Sequence, residues 1–153
     1  MTSETSEAPY FRVGSSNREH VIVRPSRREF PEATDYHDGN WVYATIEIAA
    51  GAFRGCINDA MLRAEEFVRF RDELRPLYER LSGQATFDTM EGWLRIDIHG
   101  DGKGHFRATC QAIDMPGTGN RFTFAIDFDQ TELPAIVHEL DIVCEAVPVV
   151  GSR

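Results

Sequence analysis

Two histidines, His99 and His105, flank the run at residues 100–104, Gly-Asp-Gly-Lys-Gly, and Asp97 and Asp101 lie beside them in the chain. Imidazole and carboxylate groups gathered on one hairpin have the donor types of a metal site or an acid/base pair, although spacing fixes no third ligand. Two surface histidines beside a turn are equally well accounted for as solvated side chains. The glycine run itself offers consecutive backbone N–H groups of the kind that cradle phosphate. A nucleotide loop, however, follows a strand and opens a helix, whereas this run lies between two strand-like segments, so a hairpin turn is the stronger reading.

Cys56, Cys110 and Cys144 are odd in number, far apart and each set among apolar neighbours. They form neither a CxxC clamp nor a disulfide ladder and are expected to be buried free thiols of a reducing compartment. No Gly-x-Ser-x-Gly, His-Glu-x-x-His or Walker motif occurs, so no nucleophile or cofactor is indicated and the chain is expected not to be an enzyme. Its formal charge of −9 repels nucleic-acid phosphates and anionic membranes and attracts a basic protein partner; the same acidity also serves plain solubility. Residues 1–9 read as a flexible polar arm with no signal-peptide pattern, and no run reaches the roughly 18 apolar residues that span a bilayer. A cytoplasmic location is expected.

The elements that must position these groups follow from periodicity. Residues 10–13 and 20–24 pattern as a hairpin around a Gly-Ser-Ser-Asn turn, and residues 25–40 as an aperiodic surface loop. Residues 41–49 alternate, with Val42, Ala44, Ile46 and Ile48 on one face and Trp41, Tyr43 and Glu47 on the other. A turn at residues 49–52 pairs Ile48 with Phe53 and Ala44 with Ile57, and sets Glu47 opposite Arg54. From Ala64 the period becomes helical through Phe67, Phe70, Leu74, Leu77, Tyr78 and Leu81. Pro76 is expected to kink or break that helix.

Residues 85–90, 93–99, 105–113 and 121–128 then pattern as four consecutive strands. A turn centred on Gly102 pairs Ile98 with Phe106, Asp97 with Arg107 and His99 with His105. Thr131 is positioned to cap a closing helix whose apolar stripe is Leu133, Ile136, Val137, Leu140, Val143 and Cys144. Strands interrupted once by a helix and closed by another predict an α+β domain over residues 10–150. It consists mainly of antiparallel sheet of about six to eight strands, with a mid-chain and a C-terminal helix on one face. The opposite face displays Trp41, Tyr43, Glu47, Trp93, Asp97 and His99, which are the candidate partner-contact residues. Its aromatics either anchor an interface or are covered as a second small core.

Several stretches carry a family likeness. They are Tyr36-His-Asp-Gly-Asn-Trp41 entering a strand, Gly51-Ala-Phe53 with Gly55, the helix around Phe67, Phe70 and Leu74, Trp93-Leu94 before the Gly-Asp-Gly turn, and Asp129-Gln-Thr-Glu-Leu-Pro134. In order and spacing, residues 36–145 resemble the WapI family of bacterial immunity proteins. The resemblance implies a non-enzymatic protein that binds and neutralises a cognate toxin, or an orphan relative, and carries over no functional residue. Other readings of the residues are a small-ligand protein or enzyme with a site between the open face and the 25–40 loop, and self-association through that face or an edge strand.

Overall fold

The structure, a computed structural model, describes residues 8–153. The polar arm assigned to residues 1–9 thus falls, but for Ala8 and Pro9, outside the described residues. Among the described residues eight strands form two four-stranded antiparallel sheets. The first contains β1 (Phe11–Val13), β2 (Glu19–Arg28), β3 (Trp41–Ala50) and β4 (Phe53–Arg63) in that order. The second contains β5 (Ser82–Asp88), β6 (Leu94–Asp101), β7 (His105–Ile113) and β8 (Arg121–Asp129), again in sequence order. The α+β class and the strand content agree with the periodicity, but the strands divide into two sheets instead of sharing one open face. The helices are a single turn, α1 (Tyr36–Gly39), then α2 (Ala64–Leu74), α3 (Leu77–Arg80) and α4 (Leu133–Ala146).

A continuous core joins both sheets and the helices. At its centre Phe11 of β1, Phe67 and Phe70 of α2, and Phe87 of β5 pack edge-on or tilted, with ring centroids 5.2 to 6.0 Å apart. Aromatic pairs favour such geometries because the ring edge is positive and the face negative. Helix α2 packs on β5 and α4, and α4 packs on β1, so the first and last elements of the fold meet. As expected, the helical pattern breaks at Pro76, which lies between α2 and α3, and Leu81 closes α3 in the left-handed region at φ 59°.

Several local expectations need correction, among them the cap of the closing helix: Thr131 does not cap it, because its backbone N and hydroxyl are both taken by the Asp129 carboxylate and the helix begins after Glu132. The 25–40 segment is not all loop: β2 runs on to Arg28, and α1 follows, capped by Asp35, whose carboxylate accepts from Asp38 N at 2.9 Å. Pro25 is tolerated inside β2 because pairing with β1 ends at Val23 and the β2–β3 register shifts between Pro25 and Arg27. Both predicted hairpin registers are off by two residues. Gly51, at φ 63°, allows a two-residue turn that pairs Ala50 with Phe53, Ile48 with Gly55 and Glu47 with Cys56. In the second hairpin Asp101 accepts from Lys103 N at 2.7 Å and His105 N at 3.1 Å, and the ladder pairs Asp97 with Thr109 and His99 with Arg107. A shift of two preserves which face each residue occupies, so the core was identified although its partners were not.

Candidate functional site

The six candidate contact residues separate into two sets. Trp41, Tyr43 and Glu47 stand on the outer face of the first sheet; Asp97 and His99 belong to β6 of the second, and Trp93 immediately precedes that strand, half-buried against the core. On the first sheet the aromatics are not bare. Arg27 lies over the Tyr43 ring at 4.2 Å, Arg24 over Tyr10 at 4.7 Å, and Arg63 over Trp41 at 4.7 Å and Tyr36 at 5.3 Å. Each guanidinium is drawn to the negative ring face. Tyr43 donates to Glu29 at 3.3 Å, and partial desolvation followed by the Glu29 charge raises its pKa. Glu47 faces Arg24 at 3.7 Å, so its expected partner Arg54 is replaced by a residue of β2.

Beneath Trp41 lies a cleft of about 290 Å³ bordered by Tyr36, Arg63, Glu65, Met90 and Arg153. Arg63 is buried at 3% exposure and fully engaged: it donates to the carbonyls of His37 at 2.9 Å and Tyr36 at 2.7 Å and ion-pairs with Glu65. Glu65 Oε2 is buried with no hydrogen-bond partner. Asn40, fully buried, donates to the Tyr36 and Val150 carbonyls and accepts from Val150 N, each at 2.9 Å, which fastens the C-terminal tail to this corner. Glu66 binds Arg63 N at 2.7 Å through one oxygen and Met90 N at 2.6 Å through the other. Burial pushes its carboxyl up to about 7 against the opposing pull of those two bonds.

On the second sheet Asp97 accepts from Thr86 and Arg95, each at 2.8 Å. Partial burial acts to raise its pKa, but the bonds from Arg95 and Thr86 outweigh it and hold the carboxyl low. His99 and His105 are not cross-strand neighbours. His105 lies 3.3 Å from Asp127, which also takes Arg107 at 3.1 Å. Among the described residues no three His, Cys, Asp or Glu groups gather as a metal site. Cys110 and Cys144 are buried as expected, and burial drives the Cys110 thiol up to about 12. Cys56 is exposed instead, because the alternation of β4 sets it on the outer side opposite Glu47.

Sequence reasoning missed one feature altogether. Phe53, 66% exposed, contacts Phe122 of β8 at 5.9 Å across a groove between the sheets of about 250 Å³. A mid-strand glycine, Gly55, was the signal available for it.

The family model for the immunity protein WapI-like family matches residues 12–148. The chain belongs to that family. No curated protein sequence matches it. Among solved structures the chain is similar to MRP1/MRP2 of "trypanosoma bruciei", at a TM-score of 0.48 and 15% identity over 92% of this chain and 86% of that chain. Membership of the WapI-like family extends the likeness upstream of residue 36, into β1 and β2. No helix among the described residues is long and apolar enough to cross a membrane.

Proposed function

We propose that the protein is an immunity protein that binds a cognate toxin domain in the bacterial cytoplasm and neutralises it without catalysing a reaction. The observation that carries this reading is the family match over nearly the whole chain. The charge of −9 supports it, since it steers a basic domain toward the surface over distances where individual contacts do not act. We place the contact surface on the outer side of the first sheet, around Trp41, Tyr43 and Glu47. Trp93, Asp97 and His99, on the other sheet, form a separate set. A stable complex covers roughly 800 Å² per partner, an area that one sheet face and its edge can supply.

The test is capture of the partner by the tagged protein at low and moderate salt, followed by co-expression of the captured toxin with each variant. The expected partner is a basic domain shed as salt rises, whose toxicity the wild type suppresses. Trp41→Ala combined with Tyr43→Ala weakens suppression, and changes at Trp93, Asp97 and His99 do not. A protein that captures nothing and suppresses no toxin refutes the reading. The buried, unpartnered Glu65 Oε2 at the Trp41 cleft favours one second reading, a small ligand bearing a hydrogen-bond donor. A metabolite thermal-shift screen with no response retires it.

A further inference from the structure

Three arginines stack on aromatic rings of the first sheet and its neighbouring turn, and they differ in burial. Arg27, over Tyr43, is 61% exposed at its side chain, and Arg24, over Tyr10, is half-buried, so both guanidiniums border water. Arg63 is 3% exposed. It ends β4 directly opposite Trp41, the first residue of β3, and its guanidinium lies over the Trp41 ring at 4.7 Å and the Tyr36 ring at 5.3 Å. Both aromatic residues remain part-exposed and line the cleft. Arg63 itself offers a partner almost nothing; it reaches the surface through those two rings.

All three guanidinium nitrogens are engaged. Nε pairs with Glu65, Nη1 donates to the His37 carbonyl at 2.9 Å, and Nη2 donates to the Tyr36 carbonyl at 2.7 Å. The backbone of Arg63 is held as well, since its N donates to Glu66 at 2.7 Å. Both carbonyls belong to α1, a single turn too short to be stable as a helix by itself, and Asn40 at its end is tied to Val150. A plane pinned at three points sets the tilt of the rings stacked on it. Stability does not account for a charge in this place. A buried ion pair is often replaced by apolar residues of similar volume without loss, and here Glu65 Oε2 has no hydrogen-bond partner. What an apolar replacement lacks is the planar fork that fixes an orientation.

We propose that Arg63 is the positioning residue of the contact surface: it holds the Trp41 ring, with Tyr36 beside it, in the orientation that meets the toxin. The partner then has little to order on arrival, because the orientation of its aromatic anchor is already set. The effect belongs to the off-rate, whereas the on-rate follows long-range charge. The proposal rests on the immunity reading and on Trp41 as part of the contact surface. It adds Tyr36 to that surface and ranks Trp41 above Tyr43, whose ring carries an exposed arginine.

The test is Arg63→Met combined with Glu65→Leu, which removes both charges together and leaves the net charge at −9. Its melting temperature is expected to match or exceed that of the wild type. Arg63→Lys, which keeps the charge and loses the planar fork, is the second variant. Both are made in a Trp93→Phe parent, where Trp41 is the sole tryptophan, and are followed by time-resolved fluorescence anisotropy. Trp41 of the parent is expected to turn with the whole molecule, and a fast component to appear in both variants. The captured toxin domain is expected to leave both variants at least about tenfold faster, at an unchanged on-rate. Trp41 as rigid in the variants as in the parent overturns the proposal, and so does a loosened Trp41 with toxin release unchanged. A lowered melting temperature with neither readout moved assigns Arg63 a structural role alone and overturns it too. Failure of the immunity reading looks different: the parent neutralises no toxin, while its Trp41 still loosens when Arg63 is replaced.

Discussion

Glu66→Gln tests the physical account of the α2 corner through pH. The native carboxyl titrates near 7 because burial disfavours its charge, whereas in the unfolded chain it titrates near 4.5. Between those values the unfolded state has released its proton and the native state has not, so raising the pH favours unfolding. This group's stabilising contribution is therefore fully present below about pH 4.5 and is lost as pH rises toward 7, the reverse of a salt-bridged carboxylate. Integrated from about pH 5 to about pH 7.5, one proton over that interval amounts to about 2 to 3 kcal/mol. Glutamine keeps the volume but has one acceptor oxygen, so either Arg63 N or Met90 N loses its partner, costing about 1 to 3 kcal/mol at every pH. Urea unfolding of both proteins at the two pH values isolates the effect, because all other titrating groups are shared. The variant should be clearly the weaker protein near pH 5 and draw level near pH 7.5. A stability difference that stays constant across the window refutes a carboxyl titrating near 7.

Phe87→Ala removes the ring shared by Phe11, Phe67 and Phe70 and is expected to cost about 3 to 5 kcal/mol in thermal or urea unfolding. Asn40→Ala leaves Val150 N and the Val150 carbonyl without their partner, while the Tyr36 carbonyl keeps Arg63, costing about 1 to 3 kcal/mol, and hydrogen exchange at residues 147–151 should rise. A thiol reagent applied to the folded protein should titrate Cys56 promptly and Cys110 and Cys144 only after unfolding; prompt reaction of all three contradicts the burial described here.

Much of the fold was legible because its strands alternate strictly and its helices carry full apolar stripes. Val42, Ala44, Ile46 and Ile48 are all buried, and so are Leu133, Ile136, Leu140 and Val143. Pairing was less legible, since charge matching cannot distinguish registers two residues apart: Glu47 has Arg24 of β2 within reach however β4 pairs, so moving Arg54 away leaves no charge unmet. The turn chemistry decides, through the positive φ of Gly51 and the Asp101 side chain that gathers the Lys103 and His105 amides. The candidate surface was only half legible. Alternation states that Trp41 and Asp97 face away from the core, but not that they belong to different sheets, because sheet membership depends on where α2 and α3 carry the chain. Nothing in the sequence singles out Arg63 and Glu66, which are buried at the start of α2. Their importance comes from Tyr36, His37 and Met90, which only the folded chain brings close.

Because each sheet pairs only sequence neighbours, every strand pairing closes a short loop, and local closure is fast. Contacts distant in sequence then join the parts, Phe11 on Phe87 and Phe53 on Phe122 among them; the longest reach shown is that of α4, which packs on β1 and whose Glu139 accepts from Arg12 N at 3.0 Å across 127 positions of chain. Each sheet can therefore organise on its own timescale while the docking of α4 onto β1 waits for both. That places the step that commits the molecule to its native state in its final helix, so a ribosome-tethered chain lacking α4 should hold hairpins with an unsealed aromatic core.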